Sequence, residues 1–219
     1  MTRQEPGSPV RDVVFEHDRV LLVLEDGRSL AAPLGRVGAV AGLEPEQRAR
    51  WVVTADGRGV NWPDAVPTRT DGVLNVWMLE QDALFEQSLR DLAAVDGQTD
   101  ALAPRSRSLL ALWRLTADGY NGGLLQFVGN WGFAEAGHAR DALVTIGAEQ
   151  TRGVLDEFLE VVQPIAASDE VTTIDDVYRR IQELGLSDRV DELDESFWEA
   201  AEELITRVPR AFGPAPSVR

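Results

Sequence analysis

The 219-residue sequence contains no cysteine, which excludes disulfides, thiol nucleophiles and thiolate metal sites together. Lysine is absent too, so all 21 basic residues are arginine, a coding bias with no direct functional meaning. Histidine is scarce: only His17 and His138 occur, in different parts of the chain. No run of eighteen apolar residues exists, so no transmembrane helix is expected. The N-terminal MTRQEPGSPVRD lacks the apolar stretch of a secretory signal. Catalytic signatures are also missing. There is no Gly-x-Ser-x-Gly and no His-Glu-x-x-His, no EF-hand loop follows Asp169 or Asp188, and Asn121-Gly122-Gly123 lacks the Lys-Ser/Thr of a phosphate-binding loop. His138, set among Glu135, Arg140 and Asp141, reads as an exposed helix residue. These absences predict a cytoplasmic protein with no membrane association, no cofactor, no metal ligands and no catalytic residues.

What is present in excess is negative charge. Asp and Glu total 37 against 21 arginines, a net charge of −16. Such a surface repels nucleic acid and anionic membranes and attracts basic surfaces. The excess is local. Residues 1–80 carry 12 acids and 9 arginines, and residues 81–148 carry 8 and 5. Residues 149–203 carry 17 and 4, whereas residues 204–219 carry three arginines and no acid. Solubility alone does not require that concentration.

Periodicity divides the chain into an α+β fold: a small N-terminal β-rich module followed by an all-α helical domain. Residues 1–10 read as disordered. Over residues 11–80, VVFEHD, RVLLVLEDG and RSLAAPL read as strands, with Asp26-Gly27 as a hairpin turn. Pro45 suits the first turn of a short helix. Trp51–Thr54 reads as a strand, and Gly59–Pro63 as an edge strand ended by proline. Residues 81–104 read as a connecting helix, stopped by Gly97, and a loop. Residues 105–208 are helical by their stripes: Leu109 to Leu115; Ala139, Leu143, Val144 and Ile146; Val154 to Val162, stopped by Pro164; Ile174, Val177, Tyr178, Ile181 and Leu184; and Val190, Leu193, Phe197, Trp198, Ala201, Leu204, Ile205 and Val208 in one last helix. Thr173 and Asp176 have capping-box spacing. The proline-rich residues 209–219 read as a loose tail.

Two stretches resemble known families. Asn121, Gly122, Gly123, Gln126, Phe127 and Asn130, followed by Ala142, Leu143, Ile146, Gly147 and Ala148 and then by LDESFW at Leu193–Trp198, resemble the C-terminal domain family of DNA-mimic protein 19. Leu124 stands where that family usually has an aromatic residue. The resemblance covers about residues 105–210. It implies an all-helical domain that binds a DNA-binding transcription factor through a surface imitating duplex DNA. In the N-terminal module, Asp26-Gly27-Arg28, Pro33-Leu34, Pro45–Trp51 and Gly59–Pro63 resemble a short uncharacterised β-rich domain family found near toxin–antitoxin genes. That family has no established activity.

The acidic helices supply the candidate binding face. Asp191, Glu192, Asp194, Glu195, Glu199, Glu202 and Glu203 lie off the apolar stripe of the last helix. Asp156, Glu157, Glu160, Asp175, Asp176 and Glu183 do the same on the helices before it. Duplex DNA presents a charge every ~1.7 Å of axis and a helix rises about 1.5 Å per residue. Carboxylates every few residues on neighbouring helices therefore approach phosphate spacing. Asn121 has the side chain of a helix cap, Gln126 and Asn130 share a face at i, i+4, and Trp131, in GNWGF, is a candidate contact. The expectation is a regulator that occupies the DNA-binding surface of a basic protein partner without touching nucleic acid itself. An immunity or antitoxin-like protein that neutralises a basic toxin is the alternative, and an enzyme of unknown type a third. Homodimerisation is left open.

Overall fold

A computed structural model describes residues 4–217 of the chain. The elements fall into two units: residues up to Gln87 together with those from Val208 onward, and Ser88–Arg207 between them. The α+β architecture expected from the sequence is present, with antiparallel strands first and helices after.

In the first unit β1 (Val10–Glu16), β2 (Arg19–Leu24) and β3 (Ser29–Pro33) form an antiparallel sheet in chain order. Alternation along β2 buries Val20, Leu22 and Leu24, the period-two pattern of a strand with one face in a core. The β2–β3 turn is at Asp26-Gly27, where Gly27 has φ 89°. Two short helices follow, α1 (Gly38–Ala41) and α2 (Pro45–Arg48), the second opened by Pro45. A second antiparallel sheet holds β4 (Val52–Val53), β5 (Gly59–Asn61) and β6 (Leu74–Asn75) in that order. This corrects the edge-strand expectation for Gly59–Pro63. β5 is the middle strand, because Leu74-Asn75 pairs on its other side, and Trp62 and Pro63 lie beyond the ladder. Trp62 is fully buried, and its indole N–H donates to the Arg48 carbonyl at 2.9 Å.

Arg28 lies at the centre of this unit with its side chain fully buried. It pairs with Asp26 at 2.7 Å and Glu80 at 2.8 Å, and donates to the carbonyls of Glu5 and Ala215. Glu80 is buried too, and burial pushes its carboxyl above the ordinary value although Arg28 pulls it back. Of the residues expected to be loose, Gly7 donates its N–H to Glu80, Pro209–Phe212 continue a helix, and Ala215 is buried. Residues 1–3 and 218–219 lie outside the described residues.

The helical run begins with α3 (Val76–Ala94). It continues through α4 (Pro104–Ile146), α5 (Glu149–Ala166), α6 (Ile174–Glu183), α7 (Ser187–Ala200) and α8 (Leu204–Phe212). The expected single last helix is instead two helices separated by a 3-10 turn, Ala201–Glu203. α5 runs past Pro164, which sits inside its last turn. There it costs one late backbone bond and ends the helix within about a turn instead of at once. Thr173 and Asp176 form the expected capping box at the start of α6. The core of the helical unit is built by Leu109, Leu110, Leu112 and Leu115 of α4, Leu155, Phe158 and Val162 of α5, and Leu193 and Phe197 of α7. Four residues expected on apolar stripes are exposed instead: Leu184, at the C-cap of α6, and Val144, Tyr178 and Trp198 inside their helices. Each of the last three follows a buried neighbour, Leu143, Val177 or Phe197, and so lies about 100° round the helix from it.

Candidate binding surface on the acidic helices

α4 is a chain of helical segments broken where the family-like motif lies. Gly122, Gly123 and Gly132 leave helical geometry. Gly123 has φ 81° and ψ 179°, a conformation essentially reserved for glycine. The break frees the N–H groups of the segment that follows, and Asp194 of α7 caps one of them. Its Oδ1 accepts from the Leu124 N–H at 2.8 Å. Asn121, expected to cap that helix, instead donates to the Ala117 carbonyl of the preceding segment. The rest of the motif converges on one carboxylate. Asp118 accepts from Gln126 at 3.0 Å, from Asn130 at 3.1 Å and from the Trp131 indole at 2.6 Å. Phe127 is fully buried. The Arg114 guanidinium lies 3.8 Å from the centre of the Trp131 ring and also pairs with Glu135 at 3.0 Å. Arg107 pairs with Glu135 and reaches His138 Nδ1 at 2.7 Å. Burial raises the Glu135 carboxyl, but the hydrogen bonds and charges of Arg107 and Arg114 outweigh it and hold the group below its ordinary value. Trp131, held by Arg114 and Asp118, is still 39% exposed.

The thirteen candidate carboxylates divide by environment. Four are half-buried and do structural work. Asp156 pairs with Arg140 and Arg152. Asp176 completes the capping box and pairs with Arg179, and the Thr173 hydroxyl, the Thr172 N–H and Arg179 hold it far below the ordinary carboxylate range. Asp194 caps Leu124; burial raises its carboxyl, the Leu124 N–H pulls it back, and Asp191 adds to the rise. Glu203 accepts from the Thr151 N–H and hydroxyl and pairs with Arg207. Three exposed carboxylates share arginines: Glu183 with Arg180, and Glu157 and Glu192 both with Arg189. The other six, Glu160, Asp175, Asp191, Glu195, Glu199 and Glu202, are exposed and make no ion pair among the described residues.

Four of those six fall on one line. Asp191, Glu195 and Glu199 repeat at i, i+4 and i+8 along α7, and Glu202 continues the line in the 3-10 turn. With Asp188 and Glu192 they fill a sector of about 100°, opposite the buried Leu193, Phe197 and Ala200. From Asp188 to Glu202 the stripe is about 21 Å long, with one carboxylate per about 4 Å, close to the ~3.4 Å axial spacing of phosphates on one DNA strand. Arg189 joins Glu157 of α5 to Glu192 of this stripe. Glu160 lies elsewhere, in a groove with Phe133, Arg140 and Asp156.

Residues 100–211, just over half of the chain, match the family described as DMP19-like protein. The chain belongs to the DMP19-like protein family. Residues 10–69 of this DMP19-like chain match a second family, a protein of unknown function (DUF2442). Neither description names an enzymatic activity. No curated protein and no solved structure matches the chain.

In the DMP19-like unit, sequence reasoning missed Asp118, Asp188 and Arg114. Asp188 carries a readable signal, since it precedes Asp191 by three and Glu195 by seven. Asp118 and Arg114 carry none, because their partners lie across the helix break. The first unit holds a cavity of about 460 Å³ between Ala32, Val37, Leu74, Met78 and Leu79, rimmed by the Arg36–Asp82 ion pair. Among the described residues no group of three or more metal-ligating side chains could hold an ion, and no helix is long and apolar enough to cross a membrane.

Proposed function

We propose that this protein binds a basic, DNA-binding partner through the carboxylate stripe of α7, extended by Glu157, and competes with duplex DNA for that partner. The observation that carries this reading is the single-sided line of Asp191, Glu195, Glu199 and Glu202, exposed and free of arginine partners among the described residues. Charges left unpaired and regularly spaced on a solvated ridge present an extended potential to an approaching basic groove. Carboxylates then replace phosphates, and no bond is made or broken. Membership in the DMP19-like family supports a protein-binding role of the DNA-mimic type at the level of the family. The carboxylates lie along an outward helix face rather than converging in a pocket, which favours binding over catalysis.

The test compares the intact protein with the variant Asp191→Asn, Glu195→Gln, Glu199→Gln, Glu202→Gln as baits in lysate of the source cells at low salt. A DNA-binding protein retained by the first, absent from the second and released by added duplex DNA is the expected result. A retained protein that DNA does not displace, or that the neutralised bait holds equally, refutes the proposal. Should that protein be a toxin whose activity the chain blocks, the immunity reading replaces it.

A further inference from the structure

The acidic stripe is bordered by exposed aromatic surface that charge imitation alone does not require. Trp198 is 46% exposed and Tyr120 is 49% exposed, yet neither is loosely held. The Trp198 indole N–H donates to the Gly119 carbonyl at 2.8 Å. The Tyr120 ring centre is 5.9 Å from that of Phe197, and its hydroxyl lies 3.5 Å from the Trp198 carbonyl. The indole is therefore pre-set, with apolar surface facing solvent. Glu195, three residues before Trp198, and Glu202, four after it, share its side of the helix. Glu202 is near enough to Tyr120 that, after burial, its charge is the second cause raising the phenol above its ordinary value.

We infer that Trp198 and Tyr120 form a seat for one arginine side chain of the partner, the guanidinium stacked on the indole and its N–H groups met by Glu195 and Glu202. This rests on the reading of the α7 stripe as a docking surface for a basic protein. A planar, weakly hydrated guanidinium stacks on an aromatic face and still donates within its own plane, whereas an ammonium is a compact, strongly hydrated point charge. A rigid indole beside unpaired carboxylates therefore adds to the arginine preference that the bidentate guanidinium–carboxylate fork already gives. The same pairing occurs within the chain, where Arg114 stacks on Trp131. Rigid aromatic surface of this kind also concentrates binding energy at interfaces.

The experiment titrates the full chain with hexa-arginine and, separately, hexa-lysine amide at low salt, following the tryptophan indole N–H resonances by NMR. Hexa-arginine should bind about two- to five-fold more tightly and shift the Trp198 indole resonance, identified by its loss in Trp198→Phe. Trp198→Leu should cut the arginine preference, the loss falling mainly on hexa-arginine, and Trp198→Phe should retain part of it. Equal binding of the two peptides, or an unmoved Trp198 resonance, overturns the seat but leaves the acidic docking surface standing. Failure of both peptides to bind overturns the docking surface and the seat with it.

Discussion

The break in α4 makes a quantitative claim about Gly123 and Asp194. A Cβ at Gly123 would lie 2.1 Å from the Asp194 Oδ2 and 2.6 Å from its Cγ, so Gly123→Ala must displace the carboxylate that caps Leu124. Two costs follow. Alanine at φ 81°, ψ 179° carries backbone strain of about 1–3 kcal/mol, and losing a hydrogen bond to a charged group costs about 1.5–3 kcal/mol. The single variant should therefore lose about 2.5–6 kcal/mol in urea unfolding followed by far-UV circular dichroism, which reads the helices. Asp194→Ala removes the same hydrogen bond without the strain. In the double variant the lost cap is counted once, so the two effects should fall short of additivity by about 1.5–3 kcal/mol. Additivity within about 0.5 kcal/mol would show that Asp194 does not hold the break, and would refute this account of the motif.

Three further outcomes are expected. Glu135→Gln leaves Arg107 and Arg114 facing a neutral group and should destabilise the helical unit by about 3–5 kcal/mol. Because Glu135 is held below its ordinary value, its contribution is complete above the unfolded value near ~4.3 and is lost as pH falls through the folded one, so acid unfolding curves of the variant should lack that limb. Arg28→Met strands Glu80, whose carboxyl burial already raises, and should cost about 3–5 kcal/mol at neutral pH. Acidification toward the raised value should return part of that loss as Glu80 takes up a proton, the opposite of ordinary acid denaturation. Neutralising Asp191, Glu195, Glu199 and Glu202 together should leave thermal stability unchanged or slightly higher, since these four like charges make no ion pair among the described residues. A clear fall in melting temperature would mean those carboxylates support the fold instead.

What the sequence disclosed depended on how local the cause was. The Thr173–Asp176 box, the Asp26-Gly27 turn and the apolar stripes of α5 and α7 are written within one or two helical turns, and so are the i, i+4 acids of α7. The role of the Asn-Gly-Gly motif is not. Its cap comes from Asp194, seventy residues away, and its glutamine, asparagine and tryptophan meet at Asp118 only because the helix breaks between them. Periodicity also assigned Trp198 to the buried stripe. A residue one step from Phe197 sits at the stripe's margin, where hydrophobicity alone does not say which way the surface turns. Asp156, Asp176, Asp194 and Glu203 looked like surface charge for a related reason. Nothing in a run of acids marks which of them caps a helix end or anchors an arginine.

The ion cluster of Arg28 has a consequence for how the chain is made. Its guanidinium is shared between the carbonyls of Glu5 and Ala215, so the first unit draws on segments that leave the ribosome at widely separated times. Residues 88–207 emerge in between, and helices with local contacts form quickly. The helical unit can therefore finish folding while the β-rich one still waits for its closing piece. Until Ala215 arrives, the Arg28 guanidinium lacks one of the two carbonyls that hold it in the folded unit.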